Sequence, residues 1–321
     1  MRNLIQTAYF ILKSARPRQW IKNFALFAAL FFSGFLFFDP VDGPPYFFHV
    51  ALAFIVFCFT TSAVYIVNDI VDMEADRNHP FKRKRPIASG NLSVPMAITA
   101  AVLLLATGLL FSLTLGWFFR ILLITYVLMQ FGYAKLFKHI PIVDVSVIAT
   151  GFLIRVYAGA VVVNLHMSVW FLLTVISASL FIAVAKRQSE RTLLDGLSTE
   201  EIGATRKILK HYSNRLLDQF TAMFATATWL TFALFTFQSP VDEPRPTVLS
   251  SLFVILPRTL QSQKLLMLSL PLVIFIVMRY LQLVYEGNKG ESPERVLFSD
   301  KQLLISVLLF VVIVFLVTYV I

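Results

Sequence analysis

From about residue 23 to the C-terminus the chain repeats one pattern, an apolar run followed by a short polar break. A membrane-spanning helix needs roughly 20 mostly apolar residues, because it rises ~1.5 Å per residue through a hydrocarbon layer of ~30 Å. The pattern predicts nine such spans, at about 23–38, 46–67, 94–115, 117–134, 142–163, 168–185, 217–238, 265–285 and 302–321. They are evenly distributed and no linker separates them. The expectation is therefore an all-α polytopic membrane protein, with residues 1–321 forming a single integral-membrane domain.

Composition agrees. Of 321 residues, 58% are hydrophobic and 14% charged, and the mean hydropathy is +0.76. A soluble globule has no interior large enough for that apolar surface. The formal charge of +10 would fit nucleic acid, but its distribution argues otherwise. If the spans alternate, 23 of the 28 lysines and arginines fall on the side of the N-terminus, four on the other, and Arg155 lies within a span. This asymmetry predicts a cytoplasmic N-terminus and an outside C-terminus, in the cell membrane, with no nucleic-acid partner. Arg16, Arg18 and Lys22 precede the first apolar run without a small-residue cleavage site, so that run reads as an uncleaved span. The one cysteine, Cys58, lies in an apolar run and reads as a packing residue.

The densest polar stretch is Asn68–Gly90, NDIVDMEADRNHPFKRKRPIASG. If the preceding span continues through it, Asp69, Asp72 and Asp76 stand at i, i+3 and i+7, within an arc of ~60°. Three carboxylates on one face repel unless a cation lies between them, and oxygen-only ligation suits Mg²⁺. The plain alternative is a solvated acidic helix end beside the cytoplasmic basic cluster Arg77, Lys82, Arg83, Lys84 and Arg85.

Four more groups are candidates, since ionisable residues near a bilayer are costly. RPRQWIKN (Arg16–Asn23) points Gln19, Lys22 and Asn23 along a helix start, or serves as an aromatic-basic interface anchor. YAKLFKHIPIVD brackets a turn with Tyr133, Lys138 and Asp144, and Asp144 could simply match the helix dipole. Arg155, three turns into its span, needs an anionic partner or a watery cavity. Lys186 and Arg187, followed by Glu190 and Arg191, are phosphate contacts or positive-inside anchors. In the loop 186–215, Ser198 and Glu201 form a capping-box pattern that predicts a short helix to about Tyr212, a cytoplasmic cover. No P-loop, Ser-His-Asp triad or zinc pattern is present, and His79 is the one histidine near the aspartates. The residues favour Mg²⁺-dependent diphosphate chemistry without naming the substrates.

These motifs resemble the UbiA-type prenyltransferase superfamily, whose first motif N-D-x-x-D-x-x-x-D is matched by Asn68, Asp69, Asp72 and Asp76. More narrowly, the chain resembles the decaprenyl-phosphate phosphoribosyltransferase branch through RPRQWIKN, the Asn68–Gly90 stretch, YAKLFKHIPIVD, AKRQSE and GNKGESPERVLFSDKQL. The resemblance implies a nine-helix UbiA-like bundle and transfer of 5-phosphoribose from phosphoribosyl diphosphate (PRPP) to a polyprenyl phosphate. Relatives that use prenyl diphosphates carry a second aspartate motif where this chain has Lys186, Arg187 and Glu190. That departure favours PRPP as donor. Asp69, Asp72 and Asp76 are then expected to hold Mg²⁺, with Asn68 orienting the site. Lys82, Arg83, Arg85, Lys138, Lys186 and Arg187 are expected on donor phosphates, Tyr133 and Asp144 near the ribose, and Lys22 and Asn23 at the lipid phosphate. The alternatives are prenyl transfer to an aromatic or other acceptor, and a non-catalytic lipid carrier or transporter. No internal repeat supports the last.

Overall fold

A computed structural model describes residues 4–41, 43–77, 82–192, 207–238, 264–286 and 293–320, and these contain helices and turns without a strand. Eight helical segments among them are long and apolar enough to cross a membrane. The protein is all-α and polytopic. Two compact units can be distinguished.

The first unit comprises Met1–Leu30, Phe35–Val147 and Ile154–Leu165. Its elements are α1 (Leu4–Ala15), a 3₁₀ helix Pro17–Leu26, α2 (Phe27–Phe32), α3 (Tyr46–Val71), α4 (Met73–Arg77), α5 (Val94–Ser112), α6 (Trp117–Lys135) and α7 (Val143–Val162). One core joins Leu26, Val50, Phe57, Phe119, Leu123, Tyr126 and Ala158. A second joins α3 to α5 through Ala63, Ile66, Ala97, Ala100 and Ala101. Lipid tails are as apolar as leucine, so helices in a membrane associate through close backbone approach at small residues. Gly108 on α5 fits that rule, because an added Cβ would lie 2.9 Å from Thr60 Oγ1.

The expected first span at 23–38 is not one helix. It begins earlier, as ten residues of 3₁₀ helix followed by the six residues of α2. Runs of 3₁₀ longer than three or four residues are uncommon, since their hydrogen bonds are poorer. Side-chain bonds to α3, described below, hold this one. Two other ends differ from expectation. Helix α3 continues to Val71, so its own last turns carry Asn68 and Asp69, and α8 (Val169–Thr192) continues past residue 185 to include Lys186, Arg187 and Glu190.

The second unit comprises Phe31–Gly34, Ile148–Leu153 and His166–Ile321. It contains α8, α9 (Asn214–Gln238), α10 (Leu270–Tyr285), α11 (Pro293–Ser299) and α12 (Lys301–Phe315). Phe181, Ala225, Val277, Tyr280, Val284 and Leu303 form its core. Phe32 packs edge-on against Phe235 and tilted against Phe171, with ring centroids 5.6 Å and 5.5 Å away. Asp300 starts α12, accepting from Leu303 N at 2.8 Å and from Arg279 Nη2 at 2.7 Å. Loss of such a cap costs about 1–2 kcal/mol. Asp300→Ala should therefore lower the melting temperature of the purified protein by a few degrees, with α12 still formed.

The capping-box pair Ser198 and Glu201, most of the expected cover at 186–215, His79 and the Gly287–Ser292 part of the last matching stretch lie outside the described residues.

Candidate active site

The aspartates stand on the end of one helix, the junction after it and the short helix that follows, rather than on one continuous helix. Helix α3 ends at Val71, Asp72 occupies its C-cap at φ −89° and ψ 4°, and α4 begins at Met73. Two backbone hydrogen bonds nevertheless keep the helical step across the junction. Asp72 N donates to Asn68 O at 2.9 Å, and Asp76 N to Asp72 O at 2.8 Å. The helical spacing of the three carboxylates is thus nearly kept.

Each carboxylate faces a cation from elsewhere in the first unit. Asp69, buried, accepts from Arg16 and from Arg85 Nη1, the latter at 3.1 Å. Arg85 Nη1 also reaches Asp76 Oδ2 at 2.6 Å, and Lys138 Nζ donates to Asp72 Oδ1 at 2.7 Å. A carboxylate taken out of water is tolerable only when it is paired or coordinated. Asp69 and Asp76 satisfy that rule through Arg85, while Asp72 keeps a side chain 39% exposed. Lys82 and Arg83 sit at the start of the same basic loop and are exposed.

Local backbone geometry aims these cations. Arg16 takes left-handed angles, φ 53° and ψ 61°, between α1 and Pro17. Such angles are uncommon for any residue but glycine, and proline further disfavours the helical region for the residue before it. Lys138 lies in the turn after α6. That turn folds back because Gly132 leaves room for the Phe137 ring, 2.7 Å from where a Cβ would stand. The turn closes at Ile142, φ 68° and ψ −45°, a conformation that is rare and strained for a β-branched residue. Strain of this kind clusters at functional sites. Asp144, in the first turn of α7, is fully buried, and Tyr133 is half-buried on α6.

The 3₁₀ helix runs antiparallel to the polar face of α3. Arg16 meets Asp69, and its guanidinium lies 5.2 Å from the centre of the Tyr65 ring. Trp20 Nε1 donates to Ser62 Oγ at 3.0 Å, and Asn23 Nδ2 to Thr61 Oγ1 at 3.3 Å. At ~2.0 Å per residue, the seven steps from Arg16 to Asn23 cover ~14 Å, and the eight from Asp69 back to Thr61 cover ~12 Å of α-helix. The polar groups of the two segments are thereby paired along their length.

Asn23 is completed by Arg155. The guanidinium Nε donates to Asn23 Oδ1 at 2.9 Å, and Nη2 donates to Tyr126 OH at 2.7 Å. Its carbon also lies 4.8 Å from the centre of the Tyr126 ring, a cation–π contact. Asn23 was expected at the lipid phosphate, but its amide is buried and bonded within the protein. In this structure it ties the segment to α3 and α7. Lys22, beside it, is half-buried.

In the second unit, Arg187 is fully buried on α8 and pairs with Glu190 Oε2 at 2.7 Å; Gln188 Nε2 donates to Asp218 Oδ1 at 3.0 Å. Lys186 is half-buried on the same helix.

The donor set at the end of α3 suits Mg²⁺ chemically. It consists of three carboxylates and the Asn68 amide oxygen, and that oxygen is buried without a hydrogen-bond partner in the structure. A hard cation prefers such an all-oxygen set. Among the described residues no three acidic, histidine or cysteine side chains converge as finished metal ligands. Arg16, Arg85 and Lys138 supply the positive charge in this arrangement.

The UbiA prenyltransferase family model matches residues 23–299. The chain belongs to that family. It is 41% identical over 230 residues to the decaprenyl-phosphate phosphoribosyltransferase of Corynebacterium glutamicum, spanning 71% of this chain and 67% of that one. To the enzyme of the same name from Mycobacterium tuberculosis it is 38% identical over 231 residues, 71% of this chain and 74% of that one. Among solved structures, a UbiA homologue from Archaeoglobus fulgidus bound to GPP and Mg²⁺ superposes with a TM-score of 0.65 at 18% identity. The match covers 96% of this chain and 99% of that one. An apo UbiA homologue from Aeropyrum pernix gives 0.55 at 14% identity, covering 94% and 98%. The fold is therefore the UbiA fold.

Two features of this site escaped sequence reasoning. Arg16 reads as one more topology charge until Asp69 is seen beside it. Arg155 is conspicuous within its span, yet nothing in the sequence points to Asn23 or Tyr126 as its partners.

Proposed function

We propose that this protein transfers 5-phosphoribose from PRPP to a polyprenyl phosphate of decaprenyl type and releases diphosphate, at a site facing the cytoplasm of the cell membrane. The observation that carries the reading is the set of three aspartates at the end of α3, each facing a basic side chain. The identity to decaprenyl-phosphate phosphoribosyltransferases over most of the chain supports PRPP and a polyprenyl phosphate as the substrates.

Asp69, Asp72 and Asp76 would hold Mg²⁺, with Asn68 Oδ1 as a further oxygen. When bound, the ion neutralises charge on the departing diphosphate. Arg85 and Lys138 present N–H donors to the aspartates from two different loops, and a diphosphate takes such donors as charge-assisted hydrogen bonds. Lys82 and Arg83 extend the same cationic rim. Tyr133 and Asp144 orient the ribose or the nearby lysines. Lys22 meets the lipid phosphate.

In the reaction the bond from ribose C1 to diphosphate breaks as a lipid phosphate oxygen bonds to C1 from the opposite face. The electron pair leaves with diphosphate through an oxocarbenium-like state. The attacking phosphate is already anionic at pH 7, so the chain need supply no strong base. A single displacement gives inversion and a β-linked product, polyprenylphosphoryl-5-phosphoribose.

Membranes containing the protein, Mg²⁺, polyprenyl phosphate and labelled PRPP should place label in the lipid fraction. EDTA should stop the reaction and added Mg²⁺ restore it. Consumption of a prenyl diphosphate with no label in lipid would instead establish prenyl transfer and end this reading.

A further inference from the structure

Two guanidinium groups meet on one carboxylate oxygen in the first unit. Arg16 Nη2 and Arg85 Nη1 both donate to Asp69 Oδ1, and Arg85 Nη1 reaches Asp76 Oδ2 as well. Positive groups brought this close repel each other, and the one oxygen they share is where both are held. Planar forks converging on one point are the arrangement that receives a phosphoryl group, whose several oxygens carry more charge. Asp69 Oδ1 stands where such an oxygen would. Arg16 is aimed there by its left-handed backbone and steadied by the Tyr65 ring. Its side chain is 29% exposed, so it can change partners without crossing the core.

We propose that Arg16 binds the diphosphate of the donor, and that its bond to Asp69 closes the aspartates to a divalent cation until the donor arrives. The proposal rests on the reading of the site as a PRPP site. Asp69, Asp72 and Asp76 carry three negative charges, and Arg16, Arg85 and Lys138 return three positive ones. A divalent cation arriving alone meets a balanced set. A donor diphosphate brings the anionic oxygens that draw Arg16 away and leave Asp69 to the ion. The donor rather than the lipid is the ligand, because Arg16 shares its oxygen with Arg85, which is bound in turn to Asp76. What relieves that pair must lie against the aspartates themselves.

Removing Arg16 therefore has opposite effects on two ligands. In full-length Arg16→Gln, Mn²⁺ binding without PRPP, read by electron paramagnetic resonance, should tighten about tenfold, the effect of losing one charged hydrogen bond. The KM for PRPP should rise about tenfold or more, while that for polyprenyl phosphate stays within about twofold. Arg16→Lys, which keeps the charge but loses the fork, should fall between wild type and Arg16→Gln in both. It carries the test if Arg16→Gln does not fold. Unchanged or weaker Mn²⁺ binding, or a rise confined to the KM for the lipid, overturns the proposal while the PRPP reading stands. A wild-type protein that transfers no phosphoribose overturns both.

Discussion

Asp72→Asn should abolish transfer, by about 10³-fold in kcat/KM, while leaving the folded protein intact. Of the three aspartates it separates chemistry from stability best. Its contact with Lys138 Nζ is short, 2.7 Å, but the two side chains are 39% and 22% exposed. An ion pair so open to water contributes about 0–1 kcal/mol, because solvent screens it and takes over either partner. The melting temperature should accordingly stay within ~3 °C of wild type. Asp69 is a poorer test. Its side chain is 3% exposed and carries both Arg16 and Arg85, so an amide there would leave two guanidinium groups without their counter-charge. Loss of activity at that position would mix folding with function. Wild-type transfer by Asp72→Asn, measured with labelled PRPP, would remove Asp72 from the metal set.

Gly159→Ala should have the largest effect on the fold, at least about 3 kcal/mol and a severe loss of folded yield. A Cβ at Gly159 would stand 1.9 Å from Leu26 O, 2.6 Å from Leu26 C and 2.9 Å from Leu26 Cα. All three are backbone atoms, so no rotamer change relieves the overlap. The 3₁₀ helix would have to move away from α7. That movement would also stretch the bond from Arg155 to Asn23 and shift Trp20 and Arg16 against α3. Transfer per folded molecule should fall as well, with Arg16 out of place at Asp69. Gly116→Ala is the control, since nothing lies within 4 Å of an added Cβ there, and its cost should stay below about 1 kcal/mol. Melting temperature and size-exclusion yield of the two variants decide the matter. Near-equal behaviour would mean that the approach of Leu26 to Gly159 is not a constraint on the fold.

Both expectations depend on how local and distant information divide in this chain. Bilayer thickness turns hydropathy into helix positions, so eight of the expected spans recur as described helices with ends moved by a few residues. The spacing of Asp69, Asp72 and Asp76 was legible for the same reason, because helical periodicity is a property of neighbours in sequence. The first span was less so. Its apolar run says that it is buried, but not that Trp20 and Asn23 stand opposite Ser62 and Thr61. Likewise Lys138 was legible as a cation near a turn, whereas its partner Asp72 is 66 residues away.

What the sequence by itself determined is the membrane class, most of the helix positions, the aspartate face and the family. Each follows from a short window of residues or from a continuous match. The tertiary structure alone decided that Arg16 is bound to Asp69, 53 residues on, and that Arg155 anchors Asn23, 132 residues back. The reason is physical. Burying a charge demands a partner, but any polar group that the fold brings near will serve. The demand is visible in the sequence, and its answer exists only once the chain has packed.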